Sequence, residues 1–222
     1  SGKAAGVDLA IIGRAGHLPM GNALLIRPEL GYKSVKELKG AKIAVQVGSS
    51  AHHYLSLLLE KNGMALSDIQ LVNLKASEQK EALMTGNVDA AATWEPWVST
   101  LALQNAGKVL ADSSDGTKRY VSVFLGRTEF TAKYPEIAKR FMKVNAQASE
   151  FIRKNPAEAA KLIAAESKMS EDVLHNIVYK MDWDVNITEE DKAAFLKIKD
   201  FMKSTGVLKK DFDINTLFDL RY

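Results

Sequence analysis

The stretch Lys42-Ile-Ala-Val-Gln-Val-Gly-Ser-Ser-Ala-His52 constrains this chain more than any other. Lys42 to Val47 reads as a short strand, Gly48 as a turn, and Ser49 and Ser50 as the start of a helix ending at Asn62-Gly63. A strand that passes through one glycine into a capped helix is half of a strand–helix–strand unit, which points to an α/β fold. Serine suits that start because its oxygen accepts from the free N–H groups of the first turn. The N–H groups left over, together with the positive end of the helix dipole, suit an anion. The bland alternative is that the two serines only cap the helix.

The same alternation continues on both sides. Val7–Ile12 and Asn22–Arg27 read as strands, with the turn-rich loop Gly13–Pro19 between them, and Pro28 stops the second. Tyr32–Gly40 reads as a short helix capped at Ser34, and Ser1–Gly6 as the end of another. After Asn62-Gly63, strands are expected at Ile69–Leu74, Asn87–Thr93, Lys108–Ala111 and Tyr120–Leu125, and a helix at Ser77–Thr85. Trp94-Glu-Pro-Trp97 begins a further helix, with Pro96 suited to its first turn. Beyond Arg127 the pattern becomes helical. Pro135–Lys154 places Ile137, Phe141, Val144, Ala148 and Phe151 or Ile152 on one expected face. Further helices start at Pro156, Ser170 and Thr188, and a short one is expected within Lys209–Tyr222. Such alternation implies a parallel sheet with right-handed crossovers and ligands at the carboxyl ends of its strands. That rule selects Gly13–Leu18, Gly48–His52 and Thr93–Trp97. A faint echo between Gly2–Gly13 and Leu83–Thr93, each with a glycine and Val-Asp before a small apolar strand, fits two similar lobes.

Composition narrows the function. With 30 basic against 27 acidic residues, the charges are interspersed and form no patch suited to nucleic acid. The chain has no cysteine, which removes disulfides, thiolate metal sites and cysteine nucleophiles. No apolar run approaches the ~20 residues of a membrane span. There is no glycine-rich phosphate loop and no evident nucleophile–base pair. His52 and His53 are adjacent on a helix and point about 100° apart, so they form no metal pair by themselves. His17, His175, Trp97 and Trp183 read as solvent or packing residues. No metal and no cofactor are expected.

Lys33–His52, Leu83–Trp97 and Phe124-Leu-Gly-Arg127, in this order and spacing, resemble the periplasmic substrate-binding proteins of ABC transporters that serve aliphatic sulfonates, taurine and nitrate. The resemblance extends over about residues 7 to 205. It implies an α/β, bilobal, type II-like periplasmic-binding-protein fold, with two lobes joined by two hinge strands and a helical C-terminal part. Carried onto this chain, residues 1–27 and 119–222 form lobe one and residues 28–118 form lobe two, with hinges at Asn22–Arg27 and Tyr120–Leu125. The family carries a strand, helix and strand before the region matching Ser1, and about a helix and a strand between the positions of Pro19 and Met20. This chain departs from the family at both places.

The resemblance also implies a small anionic ligand, a membrane permease as partner, a monomer, and a periplasmic or lipid-anchored location. Ser49, Ser50, Ala51 and His52 would present hydroxyl and N–H donors to a sulfonate-like head group. Trp94 would wall its non-polar part and Glu95 would hold an amine or hydroxyl. The alternative for that pair is a core tryptophan and a solvated glutamate. Arg14 would pair with an acidic group or with the other lobe, and Gly13 joins it in the same loop. Two competing readings stand beside solute capture. One is a biosynthetic enzyme of the thiamine-pyrimidine or menaquinone-precursor type on the same fold. The other is a sensory domain, though no kinase or DNA-binding segment accompanies it.

Overall fold

Ala23–Ile26, Ile43–Val45 and Ala90–Ala92 are buried along their whole length, which requires cover on both faces of the sheet they share. In the computed structural model, which describes residues 2, 3 and 6–222, they lie in a unit made of residues 19–120 and 167–177. Its strands are β2 (Asn22–Ile26), β3 (Lys42–Val45), β4 (Gln70–Asn73), β5 (Ala90–Trp94) and β6 (Lys108–Asp112), in spatial order β4-β3-β5-β2-β6. Alternation sends Leu24, Ile26, Ile43, Val45, Ala90 and Ala92 to one face, against helix α1 (Ser50–Lys61). Ala23, Leu25, Ala44 and Ala91 face the other way, where α2 (Ala76–Met84) and α3 (Trp97–Leu103) cover them with Ala82, Leu83, Val98 and Leu101.

β3 runs parallel to β4 and β5, but β2 runs antiparallel to both β5 and β6. The sheet is therefore mixed rather than wholly parallel as expected. β2 is also no hinge strand of the first lobe: it is hydrogen-bonded on both sides within this sheet, so the two units part between Leu18 and Pro19 rather than after Arg27. The expected helix over Tyr32–Gly40 shortens to a 3-10 turn at Val35–Leu38, where Val35 and Leu38 are buried.

The other unit comprises residues 1–18, 121–166 and 178–222. β1 (Leu9–His17) pairs antiparallel with β7 (Val121–Arg127), with irregularities between Ile11 and Gly13 and between Arg14 and Gly16. β1 thus runs through the expected loop. The reason is its second edge: Arg14 N–H donates to Val185 O and His17 exchanges backbone bonds with Asp182, each at 2.8 Å. Tertiary pairing overrides the local turn preference. After β7 come α4 (Thr128–Lys133), α5 (Pro135–Lys154) and α6 (Pro156–Ser167). Helix α7 (Glu171–Val178) follows, mostly in the other unit, and then α8 (Glu189–Ser204). Helix α5 buries Ala138, Met142 and Ser149, while Ile137, Phe141, Val144 and Phe151 of the expected core stripe are exposed. The contact face is turned by one residue, and Met142 on it fills the space a Cβ at Gly13 would take. The helix end expected over Ser1–Gly6 falls in part on Ser1, Ala4 and Ala5, which lie outside the described residues.

Candidate functional site

Parallel β3 and β5 end at one edge of the five-stranded sheet, and antiparallel β2 begins there. Three segments therefore meet at that edge: Gly48–Ser50 after β3, Trp94–Glu95 after β5, and Asn22 at the head of β2. Asn22 and Trp94 are direct partners across the strands.

Gly48 turns the chain with φ +79, a left-handed conformation that favours glycine. Its N–H donates to His52 Nδ1 at 3.3 Å. Ser49 is the N-cap of α1 and its Oγ accepts from the His52 N–H, also at 3.3 Å. Among the described residues, no acceptor pairs with the N–H groups of Ser50 and Ala51. Two free amides at the positive end of a three-turn helix form an anion-binding geometry. The side chains divide differently from the sequence expectation. Ala51 is packed into the core, so only its amide is available. His52 is buried, its amide and Nδ1 are engaged, and burial holds its imidazole below the usual histidine pKa, which favours the neutral ring.

Ser50 Oγ accepts from Asn22 Nδ2 at 3.1 Å. Asn22 is fully buried, and its Oδ1 accepts from the Lys118 ammonium at 3.0 Å. Its backbone N–H donates to Ser113 Oγ at 3.1 Å, and that hydroxyl donates to Pro19 O at 2.6 Å. Lys118 is 6% exposed, and among the described residues no carboxylate lies within ion-pair distance of it. Its Nζ also lies 5.3 Å from the centroid of the Tyr120 ring. Desolvation by burial brings its pKa down to about 8. Sequence reasoning missed Asn22, Ser113 and Lys118. A polar residue at the head of an otherwise apolar strand was the signal for Asn22; Lys118, inside a polar loop, gave none.

Trp94 is partly buried and packs on the α1 face of the core. Glu95 is neither solvated nor aimed outward. It is 8% exposed, and its carboxylate accepts from Ser99 N–H at 3.0 Å and Ser99 Oγ at 2.9 Å, at the start of α3. An acid there is favoured by the helix dipole.

Gly13 and Arg14 lie in the other unit, in β1 rather than a loop. Arg14 is 1% exposed. Its Nε donates to Asp184 O at 2.7 Å, Nη2 to Asp182 Oδ2 at 2.8 Å, and Nη1 to Asp191 Oδ2 at 3.4 Å. Three of its five donors are taken by acceptors of its own unit, and its charge is matched there by Asp182 and Asp191, so this buried guanidinium is committed to those acids rather than to an anionic ligand. A Cβ at Gly13 would meet Met142, so that glycine serves close packing. Among the described residues no cluster of His, Asp and Glu could hold a metal ion.

A family model described as NMT1/THI5 like matches residues 2–159. A curated relative in Escherichia coli K12, whose name describes it as an aliphatic sulfonates-binding protein, is 38% identical over 113 residues. That match covers 51% of this chain and 35% of the relative, so the chain spans about a third of that protein's length. The solved structure of the periplasmic aliphatic sulphonate binding protein SsuA from E. coli is similar with a TM-score of 0.87 and 26% identity, covering 98% of this chain and 75% of that one. The alkanesulfonate-binding protein SsuA from Xanthomonas axonopodis pv. citri, bound to MOPS, is similar with a TM-score of 0.82 and 25% identity, covering 98% and 76%.

Proposed function

The chain belongs to the NMT1/THI5-like family, and from that premise we propose that it is the solute-binding component of an ABC importer, capturing a small organic anion. The head group is an aliphatic sulfonate or a close relative of it. The observation that carries this reading is the start of α1, where the amides of Ser50 and Ala51 stand free and a buried lysine is linked to the Ser50 hydroxyl through Asn22. A sulfonate carries one charge over three acceptor oxygens, so it takes several neutral donors and little counter-charge. Ser50 supplies a hydroxyl and Trp94 an apolar wall. Arg14, Gly13, Glu95 and the His52 side chain are left out of the ligand set. The protein performs no chemistry on its ligand. It works outside the cytoplasm as a monomer and delivers the anion to a membrane permease; no helix among the described residues is long and apolar enough to cross a membrane itself.

Thermal unfolding against alkanesulfonates, taurine, nitrate and carboxylates tests the reading. A ligand at about 100 times its dissociation constant adds roughly 2.7 kcal/mol of stability. One sulfonate is expected to raise the midpoint, and Ser50→Leu, which removes the hydroxyl and sets a branched chain at the head of α1, is expected to erase that rise. A flat response to every anion refutes capture at α1.

A further inference from the structure

The hydrogen bonds leading to Ser50 run in one direction only. An ammonium donates and cannot accept, so Lys118 fixes Asn22 with Oδ1 toward Nζ. The Asn22 NH₂ group must then face the other way, where it donates to Ser50 Oγ at 3.1 Å and to Thr93 O at 3.4 Å. Because Ser50 Oγ accepts from Asn22, its own proton is free to point away from the protein. Every dipole from Lys118 to the head of α1 thus presents its positive end toward the two free amides.

We propose that Lys118 is the residue that selects for charge at this site, a positioning residue whose buried ammonium acts through Asn22 and Ser50 to make the start of α1 accept an anionic head group over an uncharged isostere. The inference rests on the reading of α1 as an anion site and adds the source of its charge preference. A buried cation without a counter-ion is unfavourable in the empty protein, and an anion nearby removes that penalty. Ligand binding is therefore coupled to protonation of Lys118.

Most other titratable groups on the surrounding elements are engaged; the buried Tyr54 hydroxyl has no hydrogen-bond partner among the described residues. On the turn before Lys118, Asp112 accepts from Ser114 N–H and Asp115 pairs with Lys61 at 2.6 Å. On α1, His52 accepts from Gly48, and burial pushes the Tyr54 hydroxyl far above its usual range. After β5, Glu95 accepts from Ser99. Tyr120 offers its ring. With burial already placing Lys118 near pH 8, the coupling falls in an accessible range.

Titration calorimetry of the whole chain with ethanesulfonate, which stays ionised throughout, and with ethyl methyl sulfone as the neutral isostere tests this. The sulfonate dissociation constant is expected to rise roughly tenfold or more from pH 7 to 9.5, with uptake of about half a proton at pH 8 read from buffers of different ionisation enthalpy. Lys118→Arg should flatten the rise, because guanidinium keeps its charge. Lys118→Met should weaken the sulfonate at least tenfold, leave the sulfone within a few-fold and show no pH dependence. A pH-independent sulfonate affinity without proton uptake in the unaltered protein overturns the inference while leaving anion capture standing, and this readout does not depend on any variant folding. Equal loss of sulfonate and sulfone in a folded Lys118→Met protein also overturns it, reducing Lys118 to a strut. If the unaltered protein binds no anion at any pH, the inference and the reading beneath it both fall.

Discussion

Burying the Lys118 ammonium costs the empty protein stability, and the sign of its pH dependence follows. Its folded pKa is about 8, below the ~10.4 of an unfolded lysine. Between those values the unfolded chain holds more protons, so stability rises with pH across that window and levels off above it. The full difference is about 3 kcal/mol. Denaturant midpoints taken from pH 7 to 10.5 should climb in the unaltered protein and stay flatter in Lys118→Met. Arg14 obeys the opposite logic. Removing it leaves Asp191, which has no exposure, without its cation, so Arg14→Met should cost about 3–5 kcal/mol in a denaturant titration and should not alter anion affinity. Both residues show where sequence runs short. A lysine in a polar loop and an arginine among glycines look alike on paper, and only the fold decides that each is buried. Ser49 and Ser50 were legible because a cap acts within four residues of itself. Asn22, whose partners are Ser50 and Lys118, was not.

At the level of elements, local signals predicted starts better than extents. Thr188 caps α8 as its spacing implies: its Oγ1 accepts from Asp191 N–H at 3.2 Å, while Asp191 Oδ2 accepts from Thr188 N–H at 3.0 Å. Thr188→Ala should lower stability by about 1 kcal/mol, measured by denaturant midpoint. Pro156 and Ser170 likewise precede or open α6 and α7 where expected. β1 overran its expected end because residues from 182 onward supply its second edge, and no window around Gly13 contains them. The apolar stripe of α5 had the right period, yet its burial depends on which strand pair lies beneath. Gly48 is the glycine on which the site turns. At φ +79, Gly48→Ala should cost about 1–2 kcal/mol and also displace the head of α1, so its loss of anion affinity should exceed that of Ser49→Ala in the same titration.

On the scale of the whole molecule, the sequence revealed an α/β half followed by a helical half, and the family resemblance turned that into a discontinuous arrangement. One unit is nearly continuous, from Pro19 to Tyr120 with a later helical stretch; the other is gathered from three stretches of chain. A chain ending at Lys180 keeps the first and strips the second of the acids that hold Arg14. Hydrogen exchange on it should find the β2, β3 and β5 amides still protected and those of β1 and β7 exchanging freely; equal loss in both units would refute their independence. The arginine cluster then acquires a history. Asp182 follows Arg14 by 168 residues, so a ribosome adding roughly 5–20 residues each second leaves that guanidinium without its acids for on the order of 10–30 s. Asn22, Ser50, Trp94 and Lys118 are all synthesised before residue 121, long before those acids appear. The anion-binding end of the sheet can thus take shape while the arginine's unit still waits for residues 182 to 191 to be made.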